Sequence, residues 1–274
     1  MSTQDERIAA FRRLHQSGTF VIPNPWDLGS ARLLEMLGFS ALATTSSGFA
    51  WTRGRPDNGV TRDEALEHMR LVAQGVGVPV NADFEGGFAV DPDGVAANVK
   101  AATTTGIAGL SIEDSTGNAA KPLYDFMLSV ERVKAARRAI DASGTGLVLT
   151  ARSEGFIAGR PDLAETLKRL AAFAAAGADC LYAPGIQSRS DIAAVVKEVA
   201  PRPVNVLVWT NFTTVAEMTD LGVRRISVGG ALARTAWKGF LDAAREIAEH
   251  GTFGRLGDAV PSDVVNGSFS PPHQ

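Results

Sequence analysis

PVNADFEGGFAVDPDGVAANVKAATTTGIAGLSIED, residues 79–114, decides how the chain folds. Two apolar runs in it each end in acid. The first, Val78-Pro79-Val80-Asn81-Ala82, delivers Asp83 and then Glu85 into Gly86-Gly87. The second, Ala108-Gly109-Leu110-Ser111-Ile112, delivers Glu113 and Asp114. Short apolar runs bounded by turn residues read as buried parallel strands, and the segment between them reads as a helix opened at Pro92 and closed at Gly106. This is a βαβ unit. Its two strands point the same way, so Asp83, Glu85 and Glu113 emerge at one edge of one sheet. Carboxylates gathered there repel one another unless a cation or a shared proton relieves them, and a divalent metal is the simplest relief.

The same alternation runs outward in both directions. Upstream, a leading N-terminal helix over residues 4–17 precedes a strand at 19–23, a helix stopped at Gly38 and a strand at 40–44. A longer loop then carries Ser46, Ser47, Gly48, Trp51, Arg53, Arg55 and Asp57, followed by a helix opened by the capping box Thr61-Arg62-Asp63-Glu64. Downstream, strands are expected at 146–150, 179–183, 203–208 and 225–228. Helices alternate with them, the last running from Gly230 to about His250. Eight strand and eight helix signals at roughly thirty-residue spacing predict a (β/α)8 barrel of TIM type; a doubly wound open sheet is the alternative. No linker interrupts the pattern. The expectation is one domain over 1–274, with 252–274 a C-terminal helical or extended arm packing on another subunit, or a disordered tail.

Composition narrows the function classes. The chain has 274 residues, 45% hydrophobic and 21% charged, with a formal net charge of -3. No basic block or aromatic-plus-basic stripe is present, which argues against nucleic acid as a partner. No apolar run approaches the roughly 18 residues of a membrane span, and no leader pattern opens the chain. The lone Cys180 rules out an internal disulfide framework and fits a reducing, cytoplasmic setting. It begins a strand and reads as a small buried hydrophobe.

In such a barrel the active site lies at the carboxyl ends of the strands. Those ends hold Asn24, Ser46, Ser47, Asp83, Glu85, Glu113, Asp114, Arg152, Glu154, Asn205 and Gly229-Gly230. The set is rich in oxygen and has one central arginine. The four histidines, His15, His68, His250 and His273, fall on predicted helices or the tail. Hard oxygen donors favour Mg²⁺ or Mn²⁺ over zinc. Arg152 suits bidentate capture of a carboxylate, although it could equally pair with the acids. Ser47-Gly48 reads as a turn or as an anion-holding backbone. Gly229-Gly230 reads as a tight turn, or as a phosphate site at a helix start.

Several motifs occur in one order along the chain: Asn24-Pro25-Trp26-Asp27, Thr45-Ser46-Ser47-Gly48, Asp83-Phe84-Glu85-Gly86-Gly87, Ile112-Glu113-Asp114, and Thr150-Ala151-Arg152-Ser153-Glu154 with Phe156-Ile157-Ala158-Gly159. Together, from about residue 8 to 250, they resemble the isocitrate lyase/phosphoenolpyruvate mutase superfamily. The resemblance implies a Mg²⁺-dependent barrel acting on small 2-oxo or 2-hydroxy acids through an enolate, usually a homotetramer of paired subunits that exchange a terminal helix. It implies Asp83 as direct metal ligand, with Glu85 and Glu113 holding the metal through water. Ser47 and Gly48 match the family's backbone site for the substrate carboxylate or phosphonate, and Arg152 its substrate-neutralising arginine; Ser46 and Asn205, from the strand ends, join them as substrate-binding candidates. Arg152, Glu113 and Asp57 form the implied catalytic set.

Two departures from the family pattern stand out. Glu85 replaces a second aspartate, and residues 115–125 contain neither the cysteine nor the histidine of the lyases' mobile loop. The mutases' Lys-Thr-Asn-Ser loop is not reproduced by Asn118 and Lys121 either. The leading expectation is a carbon–carbon lyase of oxaloacetate decarboxylase or hydrolase type. Phosphorus–carbon chemistry of mutase or phosphonopyruvate hydrolase type is the alternative, and a non-catalytic acid-binding barrel is the third.

Overall fold

The computed structural model describes residues 2–269. Helix α1 (Gln4–Leu14) opens on a capping box in which Thr3 and Glu6 satisfy each other's backbone amides. Then come β1 (Phe20–Ile22), α2 (Leu28–Met36), β2 (Leu42–Ala43), α3 (Ser46–Thr52), α4 (Arg62–Gly75), β3 (Val80–Asp83), α5 (Pro92–Ala102) and β4 (Gly109–Glu113). The second half holds α6 (Phe126–Ser143), β5 (Val148–Arg152), α7 (Leu163–Ala175), β6 (Cys180–Tyr182), α8 (Arg189–Val199), β7 (Val204–Leu207), α9 (Val215–Asp220), β8 (Arg225–Ser227), α10 (Ala231–His250) and α11 (Ser262–Phe269).

The strands pair in parallel, in the order β1-β8-β7-β6-β5-β4-β3-β2. No ladder joins β1 to β2. Instead the Ala43 amide donates to Pro23 O at 3.0 Å, and Asn24 Nδ2 donates to Thr44 O at 3.1 Å. The Asn24 Oδ1 accepts from the Val228 and Gly229 amides at 2.9 and 2.8 Å. One side chain therefore ties three strand ends, and the (β/α)8 barrel closes through it. These bonds also make Gly229-Gly230 a turn pinned by Asn24, in line with the tight-turn reading.

Alternation along each strand divides the wall. On β3, Val80 and Ala82 join the hydrophobic core beneath the helices, whereas Asn81 and Asp83 line the central cavity. The opposite end is sealed by α1: Phe11 is fully buried, with the His15 and Phe20 rings edge-on to it at 4.6 and 6.3 Å.

One expectation changes, and one open alternative is decided. The stretch after β2 is not all loop, because Ser46–Thr52 is helical. Thr45 caps this short helix, and it packs through Gly48, where an added Cβ would stand 2.6 Å from Thr45 Cγ2 and 2.9 Å from Trp26 Cβ. Of the helical and extended forms expected for the tail, its described part takes the helical one. It turns back on α10, where Glu246 accepts from the Gly254 and Arg255 amides, and then forms α11 against α2. Residues 270–274, including His273, lie outside the described residues.

Candidate active site

Four strand-end segments, those of β2, β3, β4 and β5, build the site. Asp83 ends β3, Glu113 ends β4 and Arg152 ends β5. Ladder pairing of Glu113 with Arg152 fixes the last two side by side. Arg152 Nη1 meets Asp83 Oδ1 at 2.8 Å, Nη2 meets Glu113 Oε2 at 3.2 Å, and Nε meets Glu154 Oε1 at 2.8 Å. A second bond, Nη2 to Glu154 Oε2 at 3.2 Å, makes the Glu154 contact bidentate. The other Asp83 oxygen accepts from Ser46, from its amide at 2.9 Å and its hydroxyl at 2.8 Å. The β2 end and the first turn of α3 are thereby tied to the acid cluster.

Glu85 occupies a strained position. Its φ of 47° is left-handed, a region that non-glycine residues rarely enter. Surrounding bonds hold it there: the Glu113 amide donates to Glu85 O at 3.0 Å, and the buried Arg132 guanidinium donates to the carbonyls of Gly86, Ala89 and Val90. Its carboxyl oxygen Oε1 is buried and has no hydrogen-bond partner.

The electrostatics follow from one cation among many acids. Burial, then Asp83 and Asp57, push the Glu85 carboxyl up to about 8. Burial also raises Glu113 well above the usual range; Arg152 opposes this, whereas Glu154, Asp83 and Glu85 add to it. Glu154 is raised by burial against the pull of Arg152. Asp57, on an exposed turn at the cavity rim, is raised by partial loss of water and then by Asp83. For Arg152 burial disfavours the charge, but Glu154, Glu113 and Asp83 outweigh it and lock the proton on.

A cavity of about 270 Å³ descends from this cluster into the barrel. Ser46, Ser47, Asp57, Asp83, Arg152 and Asn205 from the sequence set reach it. Gly48 lies behind, its amide turned to Thr45 Oγ1 at 3.4 Å, while Glu85 and Glu113 stand outside the cavity wall beside Asp83. Asn205 is 1% exposed, and its amide is committed to Ser227 Oγ and Arg225 Nε, each at 2.9 Å. It stands below the rim rather than on it.

Asp114 faces away from the cavity and pairs with Arg169 at 3.0 Å, a structural ion pair that also receives the Glu154 amide. His68, placed on a helix by the sequence, stacks on Phe49 with ring centroids 4.0 Å apart and backs the cluster near Asp83 and Glu85. Burial lowers its pKa to about 4, so it stands neutral. Among the described residues, no group of three His, Cys, Asp or Glu side chains is arranged to hold a metal directly.

Tyr182 and Arg225 are among the cavity residues that sequence reasoning missed. Tyr182, at the end of β6, faces the Arg152 guanidinium at 5.2 Å, and burial pushes its hydroxyl up to about 12. The reading of strand ends that found Arg152 would have reached it. Arg225 had no such signal, because it opens β8 instead of ending it.

With this geometry in hand, comparison with known proteins is informative. The sequence model of the phosphoenolpyruvate phosphomutase family matches residues 11–248. A crystal structure of a candidate lyase/mutase from Burkholderia cenocepacia superposes with a TM-score of 0.95 at 47% identity, covering 98% of both chains. An uncharacterized protein of Mycobacterium tuberculosis is 29% identical over 93% of this chain and 92% of its own. An oxaloacetate decarboxylase of Bradyrhizobium diazoefficiens is 32% identical over 62% of this chain and 60% of its own.

Proposed function

Because the chain belongs to the phosphoenolpyruvate phosphomutase family, we propose that it is a divalent-metal-assisted lyase. It cleaves a carbon–carbon bond of a small 2-oxo or 2-hydroxy acid through an enolate, in the manner of an oxaloacetate decarboxylase or hydrolase. The observation that carries this reading is the charge imbalance at the rim. Asp83, Glu113 and Glu154 share the single guanidinium of Arg152, and Glu85 beside them leaves a buried oxygen unsatisfied.

Such a donor set fits a hard cation held by one direct carboxylate and otherwise through water. It does not fit one caged by three side chains. Asp83 would be the direct ligand, with Glu85 and Glu113 acting through water. When bound, Mg²⁺ or Mn²⁺ supplies Lewis-acid stabilisation of negative charge on the substrate oxygens.

The chain's own groups do the rest. Arg152 is fully engaged by acids; once Asp83 and Glu113 turn toward a cation, its donors become available to the substrate anion. Ser47, in the first turn of α3, faces the cavity and stabilises the charge that develops as the bond breaks. Asp57 lies at the mouth beside Asp83, its carboxyl raised by burial and by that neighbour. Tyr182 keeps its proton and faces the same space, so it offers a hydroxyl where the lyases' loop would offer a thiol.

Oxalate, an enolate mimic, tests the reading. We expect a melting-temperature rise that requires oxalate together with Mg²⁺ or Mn²⁺ and disappears in EDTA or in Asp83→Asn. At a ligand concentration of a hundred times Kd, the gain is about 2.7 kcal/mol. No shift under any condition would sink the metal site and leave the non-catalytic barrel standing. The family's phosphomutase description supports a second reading, phosphorus–carbon chemistry, and phosphorus NMR of phosphonopyruvate incubated with the protein would detect it.

The loop over 115–125 carries no donor into this site. Its cation Lys121 is exposed and pairs with exposed Asp125 at 3.2 Å. Lys121→Ala should therefore change folding stability by less than about 0.5 kcal/mol and leave the oxalate shift intact. A lost shift would mean that the loop closes over the ligand.

A homo-oligomer also belongs to this proposal. Helix α10 buries only Ala233, yet presents Trp237 and Phe240, the latter 60% exposed. An amphipathic helix with its apolar face bare suits a second copy of the chain. No described helix is long and apolar enough to cross a membrane. Buried, unpaired Cys180 accords with a cytoplasmic location.

A further inference from the structure

We propose that the floor of the cavity is a second carboxylate subsite, built on Arg225 inside the barrel, and that it selects dicarboxylates over monocarboxylates. The inference rests on the reading of the rim as the reacting end of a 2-oxo or 2-hydroxy acid.

Arg225 is 3% exposed and belongs to the cavity lining. Its acceptors are neutral: Nε donates to Asn205 Oδ1 at 2.9 Å, and Nη1 approaches His15 Nε2 at 3.4 Å. His15 Nδ1 lies 2.8 Å from Phe11 O and donates to it, which leaves Nε2 as an acceptor. Among the described residues no carboxylate stands within ion-pair distance of Arg225. Arg152 and Arg169 face carboxylates; Arg7 and Arg132 also have neutral acceptors, backbone carbonyls, but unlike Arg225 neither lines the cavity. A buried guanidinium without a counter-charge is unfavourable, and an anion arriving from the cavity would relieve it.

A second observation points to the same place. Asn81 is 3% exposed and lines the cavity, and its Oδ1 has no hydrogen-bond partner. Its Nδ2 donates to Ala82 O at 3.2 Å; a half-turn of the amide gives up that bond and turns Nδ2 to the place of Oδ1, where it can donate to an incoming carboxylate.

Ladder register sets the two arginines at opposite ends of the cavity. Arg152, Tyr182, Asn205 and Arg225 are successive partners across β5, β6, β7 and β8. Strands about 4.8 Å apart and tilted by about 36° shift roughly 3 Å along the barrel axis per step, so three steps separate Arg152 from Arg225 by roughly 8 Å in depth. Phe11, His15 and Phe20 close the barrel beneath. A ligand that meets Arg152 with one end therefore aims the other at Arg225. The second carboxylate supplies the missing counter-charge.

Titration calorimetry with matched pairs of 2-oxo acids tests this on the wild-type protein: 2-oxoglutarate against 2-oxovalerate, and 2-oxoadipate against 2-oxohexanoate, each with Mg²⁺. We expect the diacid of at least one pair to bind about tenfold tighter or better. In Arg225→Gln that preference should vanish, while oxalate, too short to reach the floor, binds as before. Arg225→Lys, which keeps the charge, should retain part of it. Equal affinity within each pair for the wild type overturns the subsite, and so does an undiminished preference in a folded Arg225→Gln protein. A diacid preference without any oxalate binding would keep the floor site and defeat the rim reading instead.

Discussion

Arg152→Met should destabilise the metal-free protein by about 3–5 kcal/mol near neutral pH, the range found when one partner of a buried ion pair is removed. Four donor contacts from that guanidinium reach Asp83, Glu113 and Glu154, all with side chains 16% exposed or less. Methionine keeps the apolar stem and removes the guanidinium, so the loss is chiefly that of the charge and its hydrogen bonds. Asp83, Glu113 and Glu154 would then face one another without compensation. Lowering the pH should shrink the defect, because protonated acids no longer repel. Chemical denaturation of both proteins in EDTA measures the difference, and a change below 1 kcal/mol would mean that the acids are already neutral in the wild type. The same variant should lose oxalate binding, since the anion loses its guanidinium.

Stability of the metal-free protein should fall as the pH rises from about 4.5 to about 8. In the folded chain the Glu85 carboxyl is held up to about 8, against 4.5 unperturbed. Below 4.5 it is protonated whether the chain is folded or not, and it contributes no penalty. Across the window the unfolded chain releases the proton while the folded chain keeps it, so folding loses ground with each pH step. The loss reaches up to about 5 kcal/mol at the upper edge. Glu113 and Glu154 are shifted in the same direction and add to the slope. Glu85→Gln should flatten the profile, and Mg²⁺ should restore the wild type most at the alkaline end while expelling protons. Denaturation midpoints in EDTA from pH 5 to 8 decide it; a level or rising profile would refute the assignment of Glu85 as a strained, proton-holding acid.

The barrel was legible because each of its parts carries a local signal. Apolar runs end at turn residues, and boxes such as Thr61 with Glu64 and Thr214 with Glu217 mark helix starts on the spot. Convergence of Asp83, Glu113 and Arg152 followed from parallel strands alone. Helix α3 was hidden, since Ser46–Thr52 is short and contains glycine. Its stability comes from the Thr45 cap and from Gly48 seated against Trp26, contacts that a linear reading does not contain. Asn205, counted with the strand ends, is followed by Val206-Leu207-Val208 and is the second residue of β7, so it lies inside the barrel below the rim. Arg225 illustrates the same limit from the other side. A charge at a strand's first position reads as a boundary, and only the register reveals that it points inward.

The joint between β1 and β2 has a kinetic meaning. Seven neighbouring strand pairs share continuous ladders, whereas this joint rests on the Ala43 amide and on a side-chain amide from Asn24. Local opening is easiest where fewest bonds must break together, so amide exchange around Pro23 and Thr44 should outpace that of every other wall segment. Ser46, which fastens the acid cluster to this wall, lies two residues beyond Thr44. Breathing at the seam would then momentarily slacken the grip on Asp83, and a ligand spanning the rim would slow that exchange by stitching the two edges together.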